Sequence, residues 1–470
     1  MNILTNIDNI KEELILIYNI FREHLEDALL PDEVEVNVKN DEDKIEVSIL
    51  SEGKFLFKDL YTYQLNNNEH MIKYVKRFTK ISLYKFLSKR TGYNAPWGAL
   101  TGIRPTKIYY EFLKKNYSSE EIKYKICNEF FVSEQKFNLL KAIVKEQEKV
   151  KLDYRTIDLY INIPFCTSKC YYCSFISLPI DKCRDLIDPY IDALLKEIIL
   201  TLQFVHDTGL MINTVYIGGG TPTSIGVKNL ERILQILPPN LKELTVEAGR
   251  PDTIDEPMLK MLYDNKVTRI SVNPQTFDND TLRLIGRNHS SEDIIDVYNM
   301  ARQYPFVINM DLIAGLGNEN FEIFKHNIDK TLELAPDNIT VHTLSIKRAS
   351  DLHDVGGYVS KTTEVEKMIE YSNKVLIENG YAPYYLYRQK NMLGNLENIG
   401  YSKKNKLCEF NVNSMEETLS VIACGANSIS KKIEYDINRI TRHANVKNIQ
   451  EYITRIDEMI TKKLSLFRNI

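Results

Sequence analysis

A chain of 470 residues, 43% hydrophobic and 26% charged, can bury a large core, and by length it holds about three domains unless one large α/β barrel absorbs two. Its net charge of −4 lacks the basic excess of a nucleic-acid surface, and no apolar run approaches the ~20 residues of a membrane span. The N-terminus carries acidic residues inside its apolar stretch and no small-residue cleavage site, so a signal peptide is not expected.

Residues 1–150 are expected to form an α+β accessory domain. Ile10, Leu14, Ile17 and Phe21 share one helix face. Val34, Val36 and Val38 alternate with polar residues, as do Ile45, Val47 and Ile49, and Phe55 and Phe57 extend the pattern into a third strand. Helical spacing returns from Met71 to Leu87, and three amphipathic stretches follow Lys107 up to Val150.

After Arg155, strand-like runs alternate with helices: 157–163, 212–217, 241–247, 267–272, 306–313 and 338–346. Asp188 is expected to cap the first intervening helix, with Pro189 at its first position. Tyr190, Ile191, Leu194, Leu195, Ile198, Ile199 and Leu202 would form its apolar face. Six strands separated by helices demand parallel pairing with right-handed crossovers. The fold class is therefore α/β, a partial (β/α)6 barrel over residues 155–380, with a C-terminal extension over 381–470 that ends in a helical tail. In such sheets ligands sit at the carboxyl ends of the strands.

Seven cysteines without a secretory signal point to a reducing compartment, the cytoplasm, where clustered thiols hold metal rather than disulfides. Three of them, Cys166, Cys170 and Cys173, lie in the loop after the first of these strands. Thiolate is the ligand of iron–sulfur clusters, and three protein ligands on a cube leave one iron open, as an open position is left on catalytic zinc. The alternative is structural zinc, which needs a fourth Cys or His. Cys183 stands nearest and alone, the eight histidines are scattered, and Cys127, Cys408 and Cys424 are single.

The string Cys166-Thr167-Ser168-Lys169-Cys170-Tyr171-Tyr172-Cys173, preceded by Ile163-Pro164-Phe165 and by Tyr160 two residues before Asn162, carries the radical S-adenosylmethionine (SAM) signature. Over residues 155–455 the chain resembles the radical SAM oxygen-independent coproporphyrinogen III oxidase family. The segments Trp97-Gly98-Ala99-Leu100-Thr101-Gly102-Ile103-Arg104-Pro105-Thr106-Lys107 and Tyr385-Leu386-Tyr387-Arg388-Gln389-Lys390-Asn391 resemble its coproporphyrinogen dehydrogenase branch.

The resemblance implies a [4Fe–4S] cluster on Cys166, Cys170 and Cys173 and SAM at the open iron. It places Gly219, Gly220 and Thr221 on the methionyl part of SAM, and Gln275, Arg287 and Asp311 among the SAM contacts. Ile429 falls on the adenine side, Tyr160 belongs to the cofactor-binding set, and Glu247, ending the third strand, suits an amine or a ribose hydroxyl. The implied reaction is oxidative decarboxylation of two propionates of coproporphyrinogen III, with electrons from a low-potential flavodoxin or ferredoxin. The porphyrinogen pocket should mix aromatics with cations, for which Trp97, Arg104, Lys107, Tyr381, Tyr384, Tyr385, Tyr387, Arg388 and Lys390 are candidates.

Relatives on the same barrel include haem chaperones and haem-acting radical SAM methyltransferases. Gly394 stands where the chaperones carry a haem-binding His, while Phe175 and Asn162 stand where the oxidases carry a Cys and a His. Asn273-Pro274 replaces a usual Gly-Val, and Gly317 a usual Pro.

Overall fold

The computed structural model describes residues 2–24, 30–41, 43–63, 71–102, 104–175, 177–317, 319–345, 360–389, 392–437 and 439–468. Ile103, Ile346, Lys390 and Asn391, named above, lie outside the described residues. The chain divides into two units, residues 1–142 with 388–397, and residues 143–387 with 398–470.

The first unit holds a sheet of β1 (Asn2–Thr5), β2 (Glu33–Asp41), β3 (Lys44–Ser51) and β4 (Lys54–Thr62), in that spatial order. Val36 pairs with Ile49 and Val38 with Val47, so the period-2 valines and isoleucines share one buried face. Helices α1 (Lys11–Arg22) and α2 (Met71–Thr91) pack on each other and α2 packs on that sheet. Strand β1 was not foreseen; four residues are too few to show a period.

Trp97 and Arg388, expected at a substrate pocket, are 1% and 2% exposed within this unit. The Trp97 indole donates to Glu397 at 2.6 Å, and Glu397 also takes the Lys136 ammonium at 2.5 Å. Arg388 lies over the Trp97 ring and gives its two terminal nitrogens to the Leu100 and Asn395 carbonyls at 2.6 and 2.7 Å. A guanidinium so engaged ties residues 388–397 into this unit.

In the second unit the strands are β5 (Thr156–Ile163), β6 (Phe165–Cys166), β7 (Leu178–Pro179), β8 (Met211–Gly219), β9 (Glu243–Gly249), β10 (Arg269–Val272), β11 (Val307–Ala314), β12 (Asn338–Thr343), β13 (Ala382–Tyr387), β14 (Asn398–Ser402), β15 (Val421–Cys424), β16 (Ile429–Glu434) and β17 (Arg439–Ala444). Eleven form one sheet in the order β13-β14-β12-β11-β10-β9-β8-β5-β15-β16-β17. The six foreseen strands pair in parallel, and β15 adds a seventh parallel strand beside β5, with Val421 opposite Asp158 and Cys424 opposite Ile161. Antiparallel strands extend both edges, and the sheet stays open.

Alternation sorts the sheet's two faces. Leu159, Ile161, Val215, Ile217, Val246, Ile308 and Met310 turn toward the helices and form the main core. Tyr160, Asn162, Tyr216, Glu247, Asn309 and Asp311 fall at the intervening positions and line the inner face of the partial barrel. The first crossover helix spans Arg184–Asp207, beginning four residues before Asp188, so Pro189 sits inside it and Asp188 instead accepts from Asn229. Arg184 to Ile187 simply extend the turn at the cost of one i→i−4 hydrogen bond at the proline. On this helix Tyr190, Ile191, Leu194 and Ile198 are buried as expected, but Ile199 is 51% exposed. Among the described residues no helix is long and apolar enough to cross a membrane.

Candidate cluster and SAM site

Strands β6 and β7 pair at the two ends of the cysteine loop and close its base. Cys170 is buried, and Cys166 and Cys173 are half-buried. Burial pushes the Cys166 thiol up despite the Thr221 hydroxyl, and pushes Cys173 to about 11. Such thiols are poor nucleophiles until a metal deprotonates them.

The other four cysteines are engaged elsewhere. Cys183 donates to the Pro179 carbonyl, Cys408 to Glu243, and Cys424 sits against Thr201 and Lys463. Cys127 belongs to the first unit. Among the described residues no three His, Cys, Asp or Glu side chains gather closely enough to hold one metal ion. Three thiols carried on one loop are the donor set of a cube that keeps one iron open.

The loop after β8 lies against the first of these thiols. The Gly220 amide donates to the Ile163 carbonyl at 2.8 Å, the Thr221 amide to Phe165 at 2.7 Å, and the Thr221 hydroxyl reaches Cys166 Sγ at 3.5 Å. A Cβ on Gly220 would stand 2.3 Å from the Phe165 carbonyl oxygen and 2.9 Å from Cys166 Sγ. Gly220→Ala is accordingly expected to dislodge Cys166 and cut iron content after anaerobic reconstitution, while far-ultraviolet circular dichroism stays unchanged. Equal iron in variant and wild type would contradict that reading of the contact. Gly219, at φ +112°, allows Asn162 to approach its backbone.

Glu247 lies beside this loop, where a Cβ on Gly218 would come within 2.8 Å of its Oε2. Its Oε1 accepts from Tyr216 at 2.5 Å, and burial, with Asp311 nearby, pushes the carboxyl up to about 7. Asp311 is half-buried, and although its surroundings oppose ionisation, His342 nearby and a hydrogen bond from Asn309 hold it below the usual carboxylate range. Gln275 takes φ +66°, with its amide on the Asp311 carbonyl at 2.9 Å and its carbonyl accepting from Ile313 at 3.1 Å. The Asn273-Pro274 departure thus ends β10, and Gln275 resumes pairing one strand over, at Leu312. Its side-chain Oε1 is buried without a partner among the described residues, as a ligand-facing oxygen would be.

Arg287 donates to the Asn273 carbonyl at 2.6 Å and to Tyr172 at 3.2 Å, inside the cysteine loop. On the far side Tyr160, Asn162, Gly219 and Ile429 line an open cavity of about 270 Å³. The nine SAM-binding candidates and the three cysteines thus form one connected set at the carboxyl edge of the sheet.

Sequence reasoning missed three neighbours. Arg250 is immobilised against the cysteine loop by Asp252 and Ser168. His342 faces Asp311 and Tyr387 from β12. Tyr216 stacks on Phe410 with ring centres 4.6 Å apart. The alternation on β8 and β12 signals the last two; Arg250, one charged residue after a strand end, carries no pattern.

An open parallel sheet with a three-cysteine loop after its first strand defines a radical SAM protein. The radical SAM superfamily profile matches residues 160–330. The oxygen-independent coproporphyrinogen-III oxidase-like protein HemZ of Bacillus subtilis (strain 168) is 38% identical over 411 residues, 85% of this chain and 82% of that one. The chain belongs to the oxygen-independent coproporphyrinogen-III oxidase-like family. Heme chaperone HemW of Lactococcus lactis subsp. lactis (strain IL1403) is 33% identical over 48% of this chain and 60% of its own. Among solved structures, coproporphyrinogen III oxidase (HemN) from Escherichia coli matches with a TM-score of 0.52 at 22% identity, over 70% of this chain and 73% of that one, which supports the fold. The cofactors of this class are a [4Fe–4S] cluster and SAM.

Proposed function

We propose that the protein is a radical SAM oxidoreductase that converts two propionates of coproporphyrinogen III to vinyl groups, giving protoporphyrinogen IX. The observation that carries this reading is 38% identity, spread over 85% of the chain, to a coproporphyrinogen-III oxidase-like protein. Cys166, Cys170 and Cys173 hold the cluster in this reading. Tyr160, Gly219, Gly220, Thr221, Glu247, Gln275, Arg287 and Asp311 bind SAM, with Ile429 at its adenine.

When bound, the cluster and SAM supply the radical that removes hydrogen from the substrate. Each propionate then loses a β-hydrogen, carbon dioxide and one electron, the electron passing to an acceptor. The chain's own part is to exclude water and to hold the reacting carbon in place. Tyr216, Phe410 and Tyr387 offer aromatic surface to a macrocycle on the inner face, with Tyr385 packed behind them. Tyr385 comes within 3.3 Å of the Thr340 hydroxyl and Tyr387 within 3.5 Å of His342. Tyr381 and Tyr384, by contrast, are 3% and 1% exposed, and the Tyr381 hydroxyl donates to the Pro336 carbonyl, so both serve packing.

The haem-chaperone reading loses support at Gly394. This residue has no side chain to bind iron, is buried in the first unit at φ +60°, and gives its amide to Glu23. The test is anaerobic incubation of the reconstituted protein with SAM, a reductant and coproporphyrinogen III, read by mass spectrometry. Loss of two carboxyl groups is the expected result. Stoichiometric haem transfer without decarboxylation would favour the chaperone, and a methylated, ring-opened haem the methyltransferases.

A further inference from the structure

Arg250, the residue immediately after β9, is 3% exposed. Its Nε and Nη2 meet Asp252 Oδ1 and Oδ2, both at 3.0 Å. Its Nη1 lies 3.0 Å from Ser168 Oγ and 3.7 Å from Cys170 Sγ. Asp252 in turn accepts from Thr167 at 2.9 Å. A buried guanidinium therefore seats against the cysteine loop, with a cationic N–H aimed at one thiol and its other edge paired to the more exposed Asp252.

We infer that Arg250 and Asp252 tune the reduction potential of the cluster, the arginine raising it and the aspartate limiting that rise. Reduction adds one negative charge to the cluster. Hydrogen bonds to its sulfurs and nearby positive charge favour the reduced form, and both act strongly where water is excluded. Arg287, a second cation beside the loop, gives one Nη to the Asn273 carbonyl and the other to Tyr172 and also interacts with Cys170, and Arg250→Gln leaves it in place. His289 is buried with neither ring nitrogen hydrogen-bonded among the described residues, and burial together with the charge on Arg287 pushes it down to about 4, so it is neutral.

The inference rests on the three-cysteine cluster proposed above, and the measurement separates the two. Full-length wild type, Arg250→Gln and Asp252→Asn are reconstituted without air, assayed for iron and sulfide, and titrated by electron paramagnetic resonance in the absence of SAM. Arg250→Gln should move the midpoint to more negative potential by about a tenfold change in the reduction equilibrium, ~59 mV for one electron. Asp252→Asn, which leaves the guanidinium unpaired, should move it the opposite way.

Full clusters with unshifted midpoints, or shifts of the same sign, overturn the tuning alone. If Arg250→Gln takes up no iron, Asp252→Asn decides by the sign of its shift. Loss of the cluster from both variants makes the pair a structural clamp and overturns the inference. A wild-type chain that assembles no cluster overturns the three-cysteine premise itself.

Discussion

Replacing Cys170 with alanine is expected to abolish both cluster assembly and the reductive cleavage of SAM. The remaining thiols, Cys166 and Cys173, cannot recruit a substitute. Cys183, Cys408 and Cys424 are tied to Pro179, Glu243 and Lys463. Loss of a group that merely orients a metal ligand costs about 10–100-fold in affinity or activity, so loss of a ligand should exceed the upper end of that range. The readouts are iron and sulfide per chain, and 5′-deoxyadenosine measured by mass spectrometry. Wild-type levels of both in the variant would remove the basis for the whole functional reading. The fold should survive, because Cys170 lies in a loop and not in the helix-facing core.

Lys463→Ala should destabilise the protein by about 3–5 kcal/mol, the usual cost of leaving a buried charge alone. Glu197 and Lys463 are both fully buried and meet at 2.8 Å. Glu197 also accepts from Tyr452 at 2.5 Å, from Asn445 at 2.9 Å and from the Gly425 amide at 2.7 Å. Burial opposes ionisation of Glu197, but the Lys463 charge and these hydrogen bonds outweigh it and hold the carboxyl below its usual range. Its contribution is therefore present above the ordinary carboxylate range and is lost as pH falls through its lowered value. Urea unfolding of the variant against wild type gives the magnitude. Lys463→Met combined with Glu197→Gln should recover most of the loss, since no unpaired charge remains. A single variant as stable as wild type would show that the pair carries no such weight. The Gly425 amide leads into the loop that ends at Ile429, so the same variant should weaken SAM binding.

The parts of this molecule that were legible in its sequence are those where chemistry or periodicity repeats. Six strands could be placed because Leu159, Ile161 and their counterparts alternate with polar residues over several positions. The cysteine loop could be placed because three thiols with two fixed spacings have few other uses. Strand β15 escaped notice because four residues, Val421–Cys424, cannot show a period, and their role depends on a partner in β5. The helix from Arg184 was expected to start at Asp188-Pro189 because those residues fit a cap, but a proline in an early turn costs one hydrogen bond and the helix tolerates it. Trp97 and Arg388 have the composition of a ligand pocket, and both are buried, Trp97 on Glu397 and Arg388 on two backbone carbonyls. Residue types alone do not distinguish a guanidinium facing a carboxylate from one facing two backbone carbonyls.

The pairing of β15 with β5 has a consequence for biosynthesis. Asn162 donates to the Ala426 carbonyl, a contact spanning 264 residues, and Lys463 anchors Ala423 of β15 from further along the chain. On a ribosome the cysteine loop emerges long before the wall that must close beside it. The nascent chain therefore carries Cys166, Cys170 and Cys173 well before Ala426 and Lys463 are available to close beside β5.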